Sequence, residues 1–348
     1  MIILLFFLLF ALISVIYVFD FKNTIVKNIV IIGISIILIL VAGLREKGMD
    51  SDYYVYRNFW RTRKLLGNVE YSFYILRNFI KNTLALDFQS LLLVFAFLGV
   101  SVKVSAIRLV SPVLWGSMLI YFSHYFILHE FTQIRIGVAT GFVLFSIYFL
   151  SGKKYILYFI FALLAIFFHQ SCVVVLLFPL IKNARTNILV FTLLIPLGYI
   201  LYFLNTYFNV NIPIPGLQDK IDLYEEATES GFLKDSKINA FNALFLIRVF
   251  IFYVLFFYSK KISPFFPGFY IFFKVYALSL FSFLFLSKIP VFSFRIQELL
   301  GVVEILLIPS IIFLFSNKFS WIGKLSVWII SLAFLLLNIF YVKLIIVK

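Results

Sequence analysis

Long apolar runs separated by short charged breaks fill the chain from end to end. Setting run against break predicts helices near 2–19, 28–44, 88–107, 112–128, 131–150, 155–181, 187–205, 241–259, 269–287, 296–315 and 325–345. Roughly 20 apolar residues in a helix cross about 30 Å of hydrocarbon, and most of these runs have that length. No series of roughly ten-residue alternating segments is present, as a membrane barrel would need. The pattern predicts an all-α polytopic membrane protein, a single integral domain over 1–348 with about 11–12 transmembrane segments. Segment 1–19 lacks a basic leader and a small-residue cleavage site, so it is read as the first span.

Basic pairs mark the short connections: Lys22 and Lys27, Lys103 and Arg108, Lys153 and Lys154, Lys182 and Arg185, Lys260 and Lys261, Lys318 and Lys324. The positive-inside rule assigns all six to the cytoplasmic side. One run conflicts with that assignment. A single span over 155–181 would put Lys182 and Arg185 outside and invert every later loop. A hairpin of two short helices, broken in "FFHQSC" at His169, removes the conflict. Broken helices at membrane depth survive where protein or a watery cavity surrounds them, so the topology points to a polar pocket near His169. The alternative is one tilted helix of the full length.

With the hairpin, both termini and two long loops, 45–87 and 206–240, face outward. Those loops hold 11 of the 15 carboxylates: Glu46, Asp50, Asp52, Glu70, Asp87, Asp219, Asp222, Glu225, Glu226, Glu229 and Asp235. Chemistry-capable groups are thereby concentrated on one face. Within the first loop, "VEYSFYILRNFIKNTL" has helical apolar spacing and suits an amphipathic helix on the membrane surface. Its tyrosines and cations suit sugars or lipid head groups, or form an ordinary aromatic belt with snorkelling cations. The acidic run "DKIDLYEEATES" is a solvated loop face or a lid over the substrate cleft.

Composition sharpens this picture. The chain is 64% hydrophobic with a mean hydropathy of +1.09, too apolar for a water-soluble domain. The net charge of +15 is scattered in pairs between spans, which speaks for topology rather than nucleic-acid binding. The lone Cys172 excludes an intramolecular disulfide framework, and three histidines without an HExxH pattern argue against a zinc site. His124 and His129, five apart on an α-helix, would not share a ligand. No Gly-rich phosphate loop is present, and no cofactor is expected. Arg248 lies mid-span in "NALFLIRVFIFYV" and should face the bundle interior, with Glu304 as its expected partner.

Several stretches carry a resemblance. "AGLREKGMDSDYYVYRNF" followed by Glu70 in "VEYSFYIL" resembles the opening of bacterial EpsG-type, Wzy-like polysaccharide polymerases. "FTQIRIGVATGFVLFSIYFLSGKKY", "FALLAIFFHQSCVVVLLFPL" and "FRIQELLGVVEILLIP" resemble three further stretches of that group, in the same order. Asp52 following Asp50 departs from the single aspartate of that opening, and the tail beyond 315 carries no matching motif.

The resemblance implies a polymerase of the bacterial plasma (inner) membrane, with its site facing the exterior. It would transfer a growing glycan on undecaprenyl diphosphate to the next lipid-linked oligosaccharide unit. Its partners would be that lipid-linked substrate, membrane lipid, and a chain-length regulator and flippase of the same pathway, with no nucleic acid. Such a reaction needs cations for the leaving diphosphate and a base for the acceptor hydroxyl. Candidate diphosphate ligands are Arg45, Arg135 and Arg295, each also readable as an interfacial snorkel. Tyr53, Tyr56, Glu70, Arg248 and Glu298, one turn from Arg295, complete the expected substrate-binding set. Candidate bases are Asp50, Asp52, Glu130 and His169. A flippase or exporter of lipid-linked oligosaccharide is the alternative reading.

Overall fold

The computed structural model describes residues 2–21, 23–62, 69–207 and 238–346. The acidic run read as a loop face or lid, Asp219–Ser230, lies outside these residues, as does Lys22. The described residues are mostly helical and include no strand, as expected of a multi-pass membrane protein. Seven helices are long and apolar enough to cross a membrane, and Tyr155–Phe168, Gln170–Leu180 and Phe269–Phe285 are shorter apolar helices. The expected eleven or twelve crossings are therefore not all full-length helices.

The chain divides into two compact units. The first comprises 1–181, 260–269 and 304–348. Its helices are α1 (Ile2–Phe19), α2 (Thr24–Gly43), α3 (Tyr53–Arg61), α4 (Tyr71–Asn78), α5 (Phe88–Val110), α6 (Leu114–Ile120), α7 (Ile134–Ser151) and α8 (Tyr155–Phe168). Side-chain caps start two of them: Asn23 Oδ1 accepts from Ile25 N at 2.8 Å, and Asp87 Oδ1 from Ser90 N at 3.0 Å. From α6 the chain continues as a wide π-helix, Tyr121–Thr132, every residue of which is buried. It then turns back tightly through Gln133, so that a Cβ on Gly137 would lie 3.3 Å from the His129 carbonyl carbon.

The expected hairpin is present. α8 stops at His169, whose extended backbone (φ −152°, ψ 115°) no helix accommodates, and a 3₁₀-helix runs over Gln170–Leu180. Seventeen residues of continuous helix would separate Tyr158 from Val175 by about 26 Å. Instead the Tyr158 hydroxyl donates to the Val175 carbonyl at 2.6 Å, so the chain folds back on itself.

The two ends of α1 mark the two ends of this unit. Ile2 and Leu5 line a cavity of about 300 Å³ with Leu44, Arg45 and Met49, and Ile346 N donates to Met49 O at 2.8 Å. Both termini therefore meet the first long loop. At the other end, Lys27 pairs with Asp20 and Lys324 Nζ reaches Val18 O. Lys103 departs from the basic-pair reading. It lies within α5 with its side chain fully buried against Glu130. α4 is two-faced: Phe73 stacks on Tyr56 and Phe95, while Tyr71 and Ile75 are exposed.

The second unit comprises 182–259 and 270–303, with α9 (Ile188–Tyr207), α10 (Ala243–Phe257), α11 (Phe269–Phe285) and α12 (Pro290–Gly301). Gly198 of α9 sits against Leu284, where a Cβ would come within 2.9 Å of that side chain. The Tyr276 hydroxyl donates to Arg248 O, and Ser279 Oγ to Gln297 O, tying α11 to α10 and α12. The Lys274 ammonium donates to the carbonyls of Lys182, Ala184 and Thr186, an arrangement that satisfies a buried cation and pins that loop.

Candidate active site

Three distant parts of the first unit converge on one carboxylate. Glu70 stands in extended backbone just before α4, Arg135 is the second residue of α7, and His169 occupies the hairpin break. Glu70 Oε1 faces His169 Nδ1 at 2.7 Å, and its Oε2 accepts from Arg135 Nη1. The three side chains are 7%, 8% and 15% exposed, so water screens their charges only weakly. Burial pushes the Glu70 carboxyl up, but the hydrogen bond to His169 and the charge of Arg135 outweigh it and hold the group below its ordinary value.

Tyr56 adds an aromatic wall. Tyr53, Tyr56 and Trp60 share the inward face of α3 at helical spacing. The Arg135 guanidinium lies 5.7 Å from the Tyr56 ring centroid and 5.9 Å from that of Phe59. Burial pushes the Tyr56 hydroxyl up to about 12, with Arg135 and Arg45 drawing it down and Asp52 opposing them. Those charges act on Tyr56 because the neighbouring turn is close by.

That turn is a closed ring of polar contacts. Arg45 Nε donates to Asp50 Oδ2 and Nη1 to Ala42 O, both at 2.7 Å, and neither charged side chain is exposed. Asp50 Oδ1 accepts from Asp52 N at 2.9 Å. Gly48 completes the turn at φ +74°, a conformation that disfavours any residue with a Cβ. The Arg45 guanidinium rests 5.5 Å from the Phe131 ring centroid. Of the two aspartates, Asp50 is thus the buried partner of Arg45, and Asp52 is the more exposed.

Glu130 belongs to a second buried centre, its Oε1 2.7 Å from Lys103 Nζ. Arg248, Arg295 and Glu298 belong to the second unit. There Arg248 is buried in α10, Arg295 is exposed on α12, and Glu298 is half-buried.

The sequence profile of the EpsG family matches residues 28–346. The chain belongs to the EpsG family. The amylovoran biosynthesis protein AmsC of Erwinia amylovora is 28% identical over 178 residues. That alignment takes in 47% of this chain and 48% of the other, so the chain spans about half the length of the curated relative it matches. No solved structure matches. The EpsG match includes Arg45, Glu70, Arg135 and His169, and it extends through the tail in which no motif was legible.

Sequence reasoning missed the second centre of this EpsG protein. Lys103 Nζ approaches both Glu130 Oε1 and, at 3.1 Å, His129 Nδ1, which Thr140 Oγ1 also meets at 3.2 Å. The Tyr125 hydroxyl donates to Glu304 Oε2 at 2.9 Å, and Asn338 Nδ2 lies 2.8 Å from His124 Nδ1. The available signal was a lysine inside an apolar run, where an ionisable group needs a partner. In a π-helix, bonding five residues apart places His124 and His129 closer in angle than α-geometry predicts, yet they still take different partners.

Proposed function

We propose that this EpsG-family protein works in polysaccharide biosynthesis as a polymerase of the bacterial plasma membrane, with its site on the exterior face. It transfers a growing glycan from undecaprenyl diphosphate to the next lipid-linked repeat unit. The observation that carries this reading is the convergence of Glu70, Arg135 and His169 beside the aromatic wall of Tyr56. One group there supplies a fixed cation and another an imidazole nitrogen, and both stand at the end of the bundle that carries the first long loop.

The chemistry fits those parts. The acceptor oxygen bonds to the anomeric carbon as the bond from that carbon to the diphosphate breaks. The electron pair and the growing negative charge leave on the diphosphate. A preorganised guanidinium stabilises that charge without nucleotide or cofactor, and its planar fork suits phosphate oxygens. The name of the related amylovoran protein supports a glycan as the product.

The test is reconstitution in lipid vesicles with an undecaprenyl diphosphate-linked repeat unit. A product ladder spaced by one repeat, lost in Arg135→Ala, is the expected result. Label crossing the bilayer with no ladder would instead identify a flippase.

A further inference from the structure

We infer that His169 Nε2 is the atom that takes the proton from the acceptor hydroxyl, with Glu70 as the residue that positions it. This assignment rests on the polymerase reading and deepens it.

Three observations carry it. First, Glu70 fixes the tautomer. An ionised carboxylate only accepts hydrogen bonds, so the 2.7 Å contact requires the proton on His169 Nδ1. The neutral ring then presents a bare lone pair at Nε2. Second, that lone pair is buried and has no hydrogen-bond partner in the protein. Buried polar atoms are rarely left so, and an orphan of this kind in a polar cluster marks a place for a ligand. Third, Arg135 Nε is orphaned in the same way, on the guanidinium held by the other oxygen of Glu70. One carboxylate thus holds a bare base and a cationic donor, each with a buried atom to spare.

The two orphans call for opposite chemistry. A phosphate oxygen has no proton for a bare nitrogen and would be repelled by it. A sugar hydroxyl donates to it. The nitrogen therefore suits the acceptor hydroxyl, and the guanidinium suits an anion. The competing bases are engaged otherwise. Both Asp50 oxygens accept hydrogen bonds within the turn, Asp52 Oδ1 accepts from Ser51 Oγ at 3.2 Å, and Glu130 is sealed against Lys103. His169 also owes its place to the backbone: it is the residue on which the hairpin turns, so its ring is carried on a fixed break between two packed helices.

The step balances simply. The acceptor O–H proton passes to Nε2 as the oxygen bonds to the anomeric carbon. The bond to the diphosphate breaks with its electron pair on the departing lipid diphosphate, and the imidazolium later returns its proton to solvent.

Two measurements test this, and one does not depend on the polymerase reading. The chain has three histidines, so nitrogen NMR on ¹⁵N-histidine-labelled full-length protein in lipid nanodiscs can resolve each ring. His169, identified by His169→Asn, should show a protonated Nδ1 and a bare Nε2, and Glu70→Gln should change that signature. A protonated Nε2 in the neutral ring of the wild-type protein overturns the assignment. The second measurement is turnover with the lipid-linked repeat unit. His169→Ala should lower kcat by about 10²–10³-fold with KM nearly unchanged, as loss of a general base does, and added imidazole should restore part of it. Glu70→Gln should also act on kcat. A His169→Ala enzyme that folds and turns over at the wild-type rate overturns the assignment. A wild-type protein that makes no ladder overturns the polymerase reading and the proton transfer that rests on it, and the NMR signature then tests the dyad alone.

Discussion

Lys103 Nζ stands 2.7 Å from Glu130 Oε1, and neither side chain is exposed. Two charges so placed are stable only as a pair, because desolvating either alone costs several kcal/mol. Lys103→Met should therefore destabilise the protein by about 3–5 kcal/mol by stranding Glu130, and Glu130→Leu should do the same to Lys103. The double substitution should recover most of that loss. Thermal unfolding of the four proteins in one detergent gives the coupling; additive losses would sink the idea.

The same region makes a steric prediction. α5 and α7 approach closely through glycines, and a Cβ at Gly141 would lie 2.8 Å from Val102 Cγ1 and 3.2 Å from the Lys103 backbone nitrogen. The second neighbour is backbone and cannot rotate away. Gly141→Leu should force the helices apart and cost about 1–3 kcal/mol, toward the upper part of that range because Lys103 shifts as well. Gly152, just past the end of α7, has only ordinary contacts and should accept alanine with little change. Unfolding midpoints of the two variants make the comparison.

What the sequence disclosed, it disclosed through charge placement. Basic pairs flanking 155–181 pointed to a hairpin over one tilted helix, and the Tyr158–Val175 hydrogen bond closes one. Arg135 was legible at the end of a predicted span, His169 at the expected break within 155–181, and Glu70 in the motif that carries the family resemblance. Their meeting was not, because Arg135 lies 65 residues and His169 99 residues from Glu70, and no local pattern encodes packing at that range. Lys103 was misread for a related reason. The predicted span ended at 107, which made a lysine four residues earlier resemble a helix-end anchor, whereas α5 runs on to Val110 and seats Lys103 against a π-helix. Period-based reading has no signature for a π-helix, since its bonding changes which residues share a face.

Glu70 gives the pH prediction. Its carboxyl is held below the ordinary value of 4.5 in the folded protein, so the folded state binds its proton less readily than the unfolded chain does. Its contribution to stability is therefore complete above that ordinary value and is lost as pH falls through the lowered one. The stability that Glu70 contributes over Glu70→Gln should be lost as pH falls below about 4.5, the ordinary value of its carboxyl. A difference that persists undiminished well below that value would contradict the lowered carboxyl. The comparison needs only melting temperatures across a pH series.

The two aspartates of the first loop should behave differently although one residue separates them. Asp50 is 1% exposed and neutralises a buried Arg45, whereas Asp52 is half-buried at the start of α3. Asp50→Ala should leave the guanidinium buried with only the Ala42 carbonyl and the Phe131 ring against it, a loss of about 3–5 kcal/mol for breaking a buried pair. Asp52→Ala should cost about 1 kcal/mol or less, as expected away from such features. Activity should divide the same way, because the turn abuts Tyr56 and collapses without its central pair. Arg45→Met combined with Asp50→Leu separates the two roles: restored stability with lost turnover would mean that Arg45 acts on substrate, and restored turnover would make the pair a structural clasp.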